Sequence, residues 1–289
     1  MITVLYGCGN FYYANKEAIF KAFSIDYICD RKLDLLETGV YEDIPIMKTD
    51  DAYKMKNIRL IICVYDKTIE NEIKKCFLEK DTIEFVCFQE LITGRELLER
   101  FPNGEYKDIL GNKIWFDETI SPSLEIHMIG SNNELVLGKN IKVSNYLKIY
   151  MGCEGFVSIG DKTTFVSGEI NCSWGSVRIG RDCMFSWNTS IRNDDGHHIF
   201  DITTGERINP CGEVNIGDHC WIGQDSLLLK NINVEDGCVV GARAVVTKSV
   251  AVNSIVAGNP AKIVRTGVRW ERNWTKLEDI KATNCHPQE

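Results

Sequence analysis

Residues 216–251 read, in blocks of six, IGDHCW-IGQDSL-LLKNIN-VEDGCV-VGARAV-VTKSVA, and Val252 opens the next block. An aliphatic residue thus recurs at every sixth position through Ile216, Ile222, Leu228, Val234, Val240, Val246 and Val252. Ile, Leu and Val supply 71 of the 289 residues. Seven successive hits at that frequency have chance odds of roughly 1 in 16,000, so the period is an internal repeat. Glycine often follows the aliphatic residue (Gly217, Gly223, Gly241), and the fifth position is often small (Cys220, Ser226, Cys238, Ala244). A period of six fits neither a helix nor an unbroken strand. It fits short strands reset by a corner. Three such strands make an 18-residue coil, and stacked coils make a parallel β-helix with rungs about 4.8 Å apart.

Upstream, a related signature ending in glycine occurs at Leu135–Gly138, Val157–Gly160, Val177–Gly180 and Val214–Gly217, with spacings of 22, 20 and 37. Against a coil of 18 these are insertions of 4, 2 and 19. The last predicts one long loop between Ile191 and Val214. That loop is polar and contains His197 and His198, two of the five histidines. A long loop on a repetitive scaffold is where function concentrates.

From about residue 112 to 268 the chain resembles the left-handed β-helix hexapeptide-repeat acyltransferases, and among them the bacterial O-acetyltransferases of capsular, sialic-acid and lipopolysaccharide sugars. Left-handed coiling is implied by this resemblance alone, since right-handed crossovers are the general rule. In that family a Ser/Thr-Asp-x-His segment supplies a general base, and a Trp some two dozen residues later completes the site. Here the matching segment is Asp194-Asp195-Gly196-His197, with Asp in place of Ser or Thr, and Trp221 follows 24 positions after His197. The resemblance implies that His197 accepts a sugar hydroxyl proton, a task suited to imidazole near neutrality. Asp195 is a candidate to orient the ring, and backbone N–H groups near Trp221 are candidates for the oxyanion. His198 and His219 are expected to be structural or solvated.

The same resemblance implies acetyl-CoA as co-substrate. Gly241 and Ala242 are expected to allow close approach of the pantetheine arm, and Gly223 is a further candidate cofactor contact. Thr247, Lys248, Asn259, Pro260, Lys262 and Arg265 surround the Gly-Asn-Pro-Ala-Lys ending, where cations suit the phosphates. The family's sites lie between neighbouring coils of a homotrimer, so a trimer is expected.

Residues 1–105 differ in texture and are expected to form a small Rossmann-like α/β domain. Strands are expected at Ile2–Tyr6, Ile25–Cys29, Asn57–Val64 and Ile83–Phe88, with helices at about 66–80 and 89–100. Gly7-Cys8-Gly9 follows the first strand and opens a helix, but Tyr12 stands where a dinucleotide fingerprint has its third glycine. Gly7, Gly9 and Asp30 are candidate nucleotide contacts, by resemblance to acetyltransferases of nucleotide-linked amino sugars. Cys8 reads better as a small turn residue than as an activated thiol. Residues 106–120 read as a junction, 121–268 as the β-helix with its inserted loop at 192–213, and 269–289 as a tail whose Trp270 and Trp274 pack on the body.

The chain carries a net charge of −8, which opposes binding to a phosphate backbone, so no nucleic-acid partner is expected. No apolar run approaches the roughly 20 residues of a membrane helix, and no basic leader precedes the first strand. A cytoplasmic protein without an integral membrane segment is therefore expected. The 12 cysteines contain no C-x-x-C pair, which argues against a zinc scaffold and for thiols in a reduced compartment. No metal is expected. The leading function is O-acetylation of a surface-glycan hydroxyl, and the runner-up is N-acetylation of a nucleotide-linked amino sugar. A β-helix carbonic anhydrase lacks its histidine layout, and a dehydrogenase lacks a hydride-acceptor site. A non-catalytic binding protein would lack CoA affinity.

Overall fold

The irregular spacings reappear as strand register. Leu135 pairs with Val157, Val157 with Val177, and Val177 with Val214, in a computed structural model that describes residues 1–36, 39–64, 67–77, 83–87 and 90–273. Six parallel strands, Lys113–Trp115, Glu134–Leu137, Gly155–Ile159, Gly175–Ile179, Glu213–Ile216 and Ile232–Val234, form a first face. Long strands turn a corner between the other two faces. Within Thr164–Cys172, Phe165 pairs with Phe185 on the second face, and Ile170 with Ile191 on the third. The second face continues through Trp221–Ile222, Val239–Val240 and Ser254–Ala257. The third face runs from Leu124–Met128 to Val245–Val246.

This register directs one column of side chains inward from each face. Ile216, Ile222, Leu228, Val234, Val240 and Val246 are all buried in a single core running from Ile92 to Val256, each contributing about 1.5–3 kcal/mol of transfer free energy. The small fifth positions Cys220, Ser226, Cys238 and Ala244 are buried at the corners, where coils approach too closely for larger groups. The described cysteines are free thiols.

Val252, expected in the core, is 54% exposed. The final coil is two residues shorter than its predecessors: Ile216 pairs with Val234 at a separation of 18, whereas Val234 bridges Val250 and Val240 pairs with Val256. Val250 takes the inward place instead and is 2% exposed. The strand Lys262–Thr266 then runs antiparallel to Ser254–Ala257.

The start of the coil also departs from expectation. The strands Glu105–Lys107 and Lys113–Trp115 pair with each other, and Lys113–Trp115 pairs with Glu134–Leu137, so 106–120 is the first rung and not a junction. Where 89–100 read as helix, Glu90–Thr93 is a strand antiparallel to Leu124–Met128, and the helix is confined to Gly94–Arg100. Thr93 and Glu96 form a capping box that sets this boundary. Pairing to the exposed edge of the first coil outweighs local helical preference.

The N-terminal segment forms a parallel sheet in the order Tyr27–Cys29, Ile2–Tyr6, Ile58–Ile62, Ile83–Cys87. Alternate residues of the central strands enter two clusters, one with Leu5, Phe11 and Ile61 and the other with Val4, Tyr6 and Phe77. The helix Asn10–Ala22 reaches the coil, where Cys153 Sγ lies 3.6 Å from Asn15 Oδ1. The helix expected over 66–80 is described at Lys67–Lys75.

Candidate active site on the inserted loop

The loop leaves the third face after the strand Thr189–Arg192 and rejoins the first at Glu213–Ile216. Its first residue, Asn193, is fully buried and donates from Nδ2 to the carbonyls of Ser173 and Gly212, each at 3.0 Å. One amide thereby grips both feet of the insertion. Further out the chain doubles back, with Ile208 N–H donating to the Ile199 carbonyl and Asp201 N–H to that of Glu206, each at 2.9 Å.

Between these anchors sits Asn209, 8% exposed. Its Oδ1 accepts from Ile199 N–H at 2.6 Å, and its Nδ2 donates to the His197 carbonyl at 2.7 Å and to Asp195 Oδ2 at 2.9 Å. Lys230, from the next coil, donates to the same Asp195 oxygen at 2.5 Å and to the Pro210 carbonyl at 2.9 Å. The Lys230 ammonium, with the Asn209 amide behind it, holds the Asp195 carboxyl below the usual carboxylate range. The His197 side chain projects from this clamped turn into solvent. Asp195 therefore connects to the backbone of His197 through Asn209, its Oδ2 shared between Lys230 and Asn209.

Trp221 projects from the second face and is 40% exposed. Its N–H donates to the Cys238 carbonyl and that of Gly223 to Val240, each at 2.8 Å. The inter-coil ladder thus uses these two groups, which removes them as oxyanion donors. Beside Trp221 lies Trp270, with ring centroids 6.0 Å apart. Trp270 is buried, as expected, and stacks on His219 at 4.2 Å. Its Nε1 donates to the His219 carbonyl at 2.7 Å. His219 Nδ1 lies 2.7 Å from Asp182 Oδ2, and Arg272 donates to Asp182, to the Cys183 carbonyl and to Thr164 Oγ1. Burial raises the Asp182 pKa, but the His219 hydrogen bond and the Arg272 charge outweigh it and leave the carboxyl below its ordinary value. His219 is accordingly a structural histidine in a strap that crosses three coils. Trp274 lies outside the described residues.

Gly223 and Gly241, both expected at the cofactor, have another reason to be small. A Cβ on Gly223 would meet Val240 O at 2.6 Å, and one on Gly241 would meet Ala257 Cβ at 3.1 Å. Coil stacking alone requires Gly223 and tightly constrains Gly241. Val245 N–H donates to the Gly258 carbonyl and Ala261 N–H to that of Val245. These bonds place the turn bearing Asn259 and Pro260 beside the coil of Thr247 and Lys248. Lys248, Lys262 and Arg265 are all exposed there, as is Ala242.

In the N-terminal sheet, Asp30 Oδ2 accepts from Cys8 N–H and Oδ1 from Lys32 N–H, each at 2.8 Å. Gly7 has φ +103° and backs onto Cys63 O, where a Cβ would come within 2.8 Å, so only glycine fits. Burial, reinforced by Asp30, pushes the Cys8 thiol up to about 12, the reverse of an activated thiol. Among the described residues no group of side chains has a metal-binding arrangement, and no helix is long and apolar enough to cross a membrane.

Asn209 and Lys230 are the site residues that the sequence did not reveal. Asn209-Pro210 marks a loop end, but Lys230 lies 35 residues beyond Asp195, where only the register of the following coil brings it back.

The comparisons with known proteins fall among acetyltransferases. No family model matches the chain. It is 38% identical over 135 residues to a polysialic acid O-acetyltransferase of Escherichia coli O1:K1 / APEC, covering 46% of this chain and 43% of that protein. With the polysialic acid O-acetyltransferase of Neisseria meningitidis it shares 33% identity over 134 residues, 39% of this chain and 62% of that protein. The match therefore spans less than two thirds of either relative. A putative colanic acid biosynthesis acetyltransferase of Escherichia coli (strain K12) is 30% identical over 136 residues, 47% of this chain and 71% of that protein. The chain belongs to the hexapeptide-repeat acetyltransferases.

Proposed function

We propose that this protein transfers the acetyl group of acetyl-CoA to a hydroxyl of a bacterial surface glycan or its precursor, with His197 as general base. The observation that carries this reading is the clamp of Asn209, Asp195 and Lys230, which fixes the backbone at His197 while leaving its side chain open to solvent. The relatives that are polysialic acid O-acetyltransferases support the acceptor class. In the reaction, imidazole takes the hydroxyl proton as oxygen attacks the thioester carbonyl. The C–S bond then breaks and the departing thiolate recovers the proton. Trp221 walls the site, and the developing oxyanion is met by donors other than the N–H groups of Trp221 and Gly223.

Acetyl-CoA lies along the second face, its pantetheine arm over the corner of Gly223, Gly241 and Ala242 and its phosphates toward Lys248, Lys262 and Arg265, with Thr247, Asn259 and Pro260 beside them. The coil is left-handed, as the family implies, and three copies assemble in the cytoplasm with sites between neighbours. A second reading, N-acetylation of a nucleotide-linked amino sugar, is favoured by the parallel N-terminal sheet. As a Rossmann-like unit, it would present Gly7, Gly9 and Asp30 at the strand ends where nucleotides bind. His197→Asn separates catalysis from scaffold: CoA release should fall by at least a hundredfold with an unchanged unfolding midpoint. Turnover within tenfold of wild type would remove His197 from the mechanism.

A further inference from the structure

A second recessed site lies on the same corner as the histidine loop, over the preceding coils. Outward-facing positions of the third face align across coils as His127, Tyr150, Asn171 and Arg192, each paired with the next. Where this row meets the first face, a hollow of about 200 Å³ opens between Tyr150, Asn171, Ser173, Trp174 and Asp194. Glycine shapes it: a Cβ on Gly152 would lie 2.0 Å from Ser173 Oγ. Cys153, on the floor, also meets the N-terminal helix at Asn15.

The lining combines two kinds of group. Trp174 is 49% exposed, held with φ +43° while its N–H donates to the Cys153 carbonyl at 2.7 Å. Half of the indole is thereby left open to solvent. Tyr150 carries the His127 ring stacked on its far side at 4.4 Å, which stiffens it. The Asn171 amide and the Asp194 carboxylate also line the hollow. The Arg192 guanidinium lies 3.8 Å from Asp194, and its Nε is buried without a hydrogen-bond partner among the described residues. Flat aromatic faces beside hydroxyl-binding amide and carboxylate groups suit a pyranose, which has an apolar ring face and a polar rim. Asp194 stands three residues before His197, so the backbone carrying the proposed base lies within about 11 Å, Cα to Cα, of a residue lining the hollow.

We propose that this hollow is an acceptor subsite holding a sugar ring next to the one acetylated, so that the preferred acceptor is a glycan chain and not a single or nucleotide-linked sugar. The proposal rests on the O-acetyltransferase reading. Binding without turnover separates the two. Full-length protein is titrated with short polysialic acid oligosaccharides, colanic acid fragments and free sialic acid, followed by tryptophan fluorescence and calorimetry, and acetyl transfer is measured separately. Wild type should bind a chain at least tenfold more tightly than the free sugar. Trp174→Ala and Asn171→Ala should each weaken chain binding, and raise the chain's KM, about tenfold, without moving the KM for acetyl-CoA. Trp187→Ala, at an equally exposed tryptophan outside the hollow, serves as control. Chain binding lost in the variants but without acetyl transfer in wild type would keep the subsite and remove the O-acetyltransferase reading. Acetyl transfer with chain affinity unaltered in both variants, or equal affinity for chain and free sugar, would overturn the subsite.

Discussion

Asn209→Ala removes three hydrogen bonds from the histidine loop, at 2.6, 2.7 and 2.9 Å. Each is worth about 0.5–1.5 kcal/mol net, more where a charged partner is involved. The freed groups lie near the surface and regain water, so the loss to the ordered loop is about 1–2 kcal/mol. A conformation disfavoured by about 1.4 kcal/mol is populated about tenfold less, and kcat/KM should fall by that factor. The global unfolding midpoint should stay near wild type, because a loop opens as a local unit. Asn209→Asp gives a sharper form of the test. It keeps an acceptor for Ile199 N–H but removes both donors and sets a second carboxylate against Asp195, so its loss at neutral pH should exceed that of alanine. The assay is release of the CoA thiol at saturating acetyl-CoA, with hydrogen exchange at Ile199 reporting loop opening. If both variants retain kcat/KM within twofold while exchange at Ile199 accelerates, the clamp does not position the base and the reasoning fails.

Ile222→Ala, in the fully buried column between Phe185 and Val240, should cost about 2–5 kcal/mol, read from denaturant midpoints; a cost below 1 kcal/mol would mean the coils relax freely. Lys230→Met should lower kcat/KM severalfold with acceptor KM little changed, since it loosens Asp195 from the next coil. Burial holds the His127 pKa below 6.5, with Lys148 adding to the shift against Glu125. Below pH 6.5 the unfolded chain then binds the proton more readily than the folded one, so stability should be full above that pH and decline as pH falls through it. A His127→Gln variant should flatten that part of the stability profile, and an unaltered profile would count against the assignment. Arg272→Ala, which frees the strap from Asp182, Cys183 and Thr164, should increase quenching of Trp270 and Trp221 fluorescence by acrylamide.

The coil was legible because its period is a packing requirement repeated many times. Ile216, Ile222 and Leu228 each find their partner 18 residues on, and even the 37-residue spacing maps onto one register step. The last coil was not, because the six-residue column through Val252 continues in the sequence after the backbone has shortened to put Val250 inside. Position of the loop was legible from the 37-residue spacing, but its internal order was not. Asp195 and Lys230 carry no mutual signal in the chain, and neither do Asp182 and Arg272, 90 residues apart. Such pairs depend on where coil insertions bring the backbone, and that depends on accumulated register, not on local preference.

Both ends of the coil change strand direction. Glu90–Thr93 and Glu105–Lys107 run antiparallel to the first rungs, and Lys262–Thr266 runs antiparallel to the last strand of the second face. A stack of parallel coils left bare would offer an open edge on which another copy could continue the ladder indefinitely. A reversed strand presents the wrong hydrogen-bond pattern for an incoming coil of the same hand and register. The short final coil withdraws the platform further. The molecule is in this sense a fibre-forming architecture held to a finite length, and deleting either reversed segment should release growth into filaments before it impairs the histidine loop.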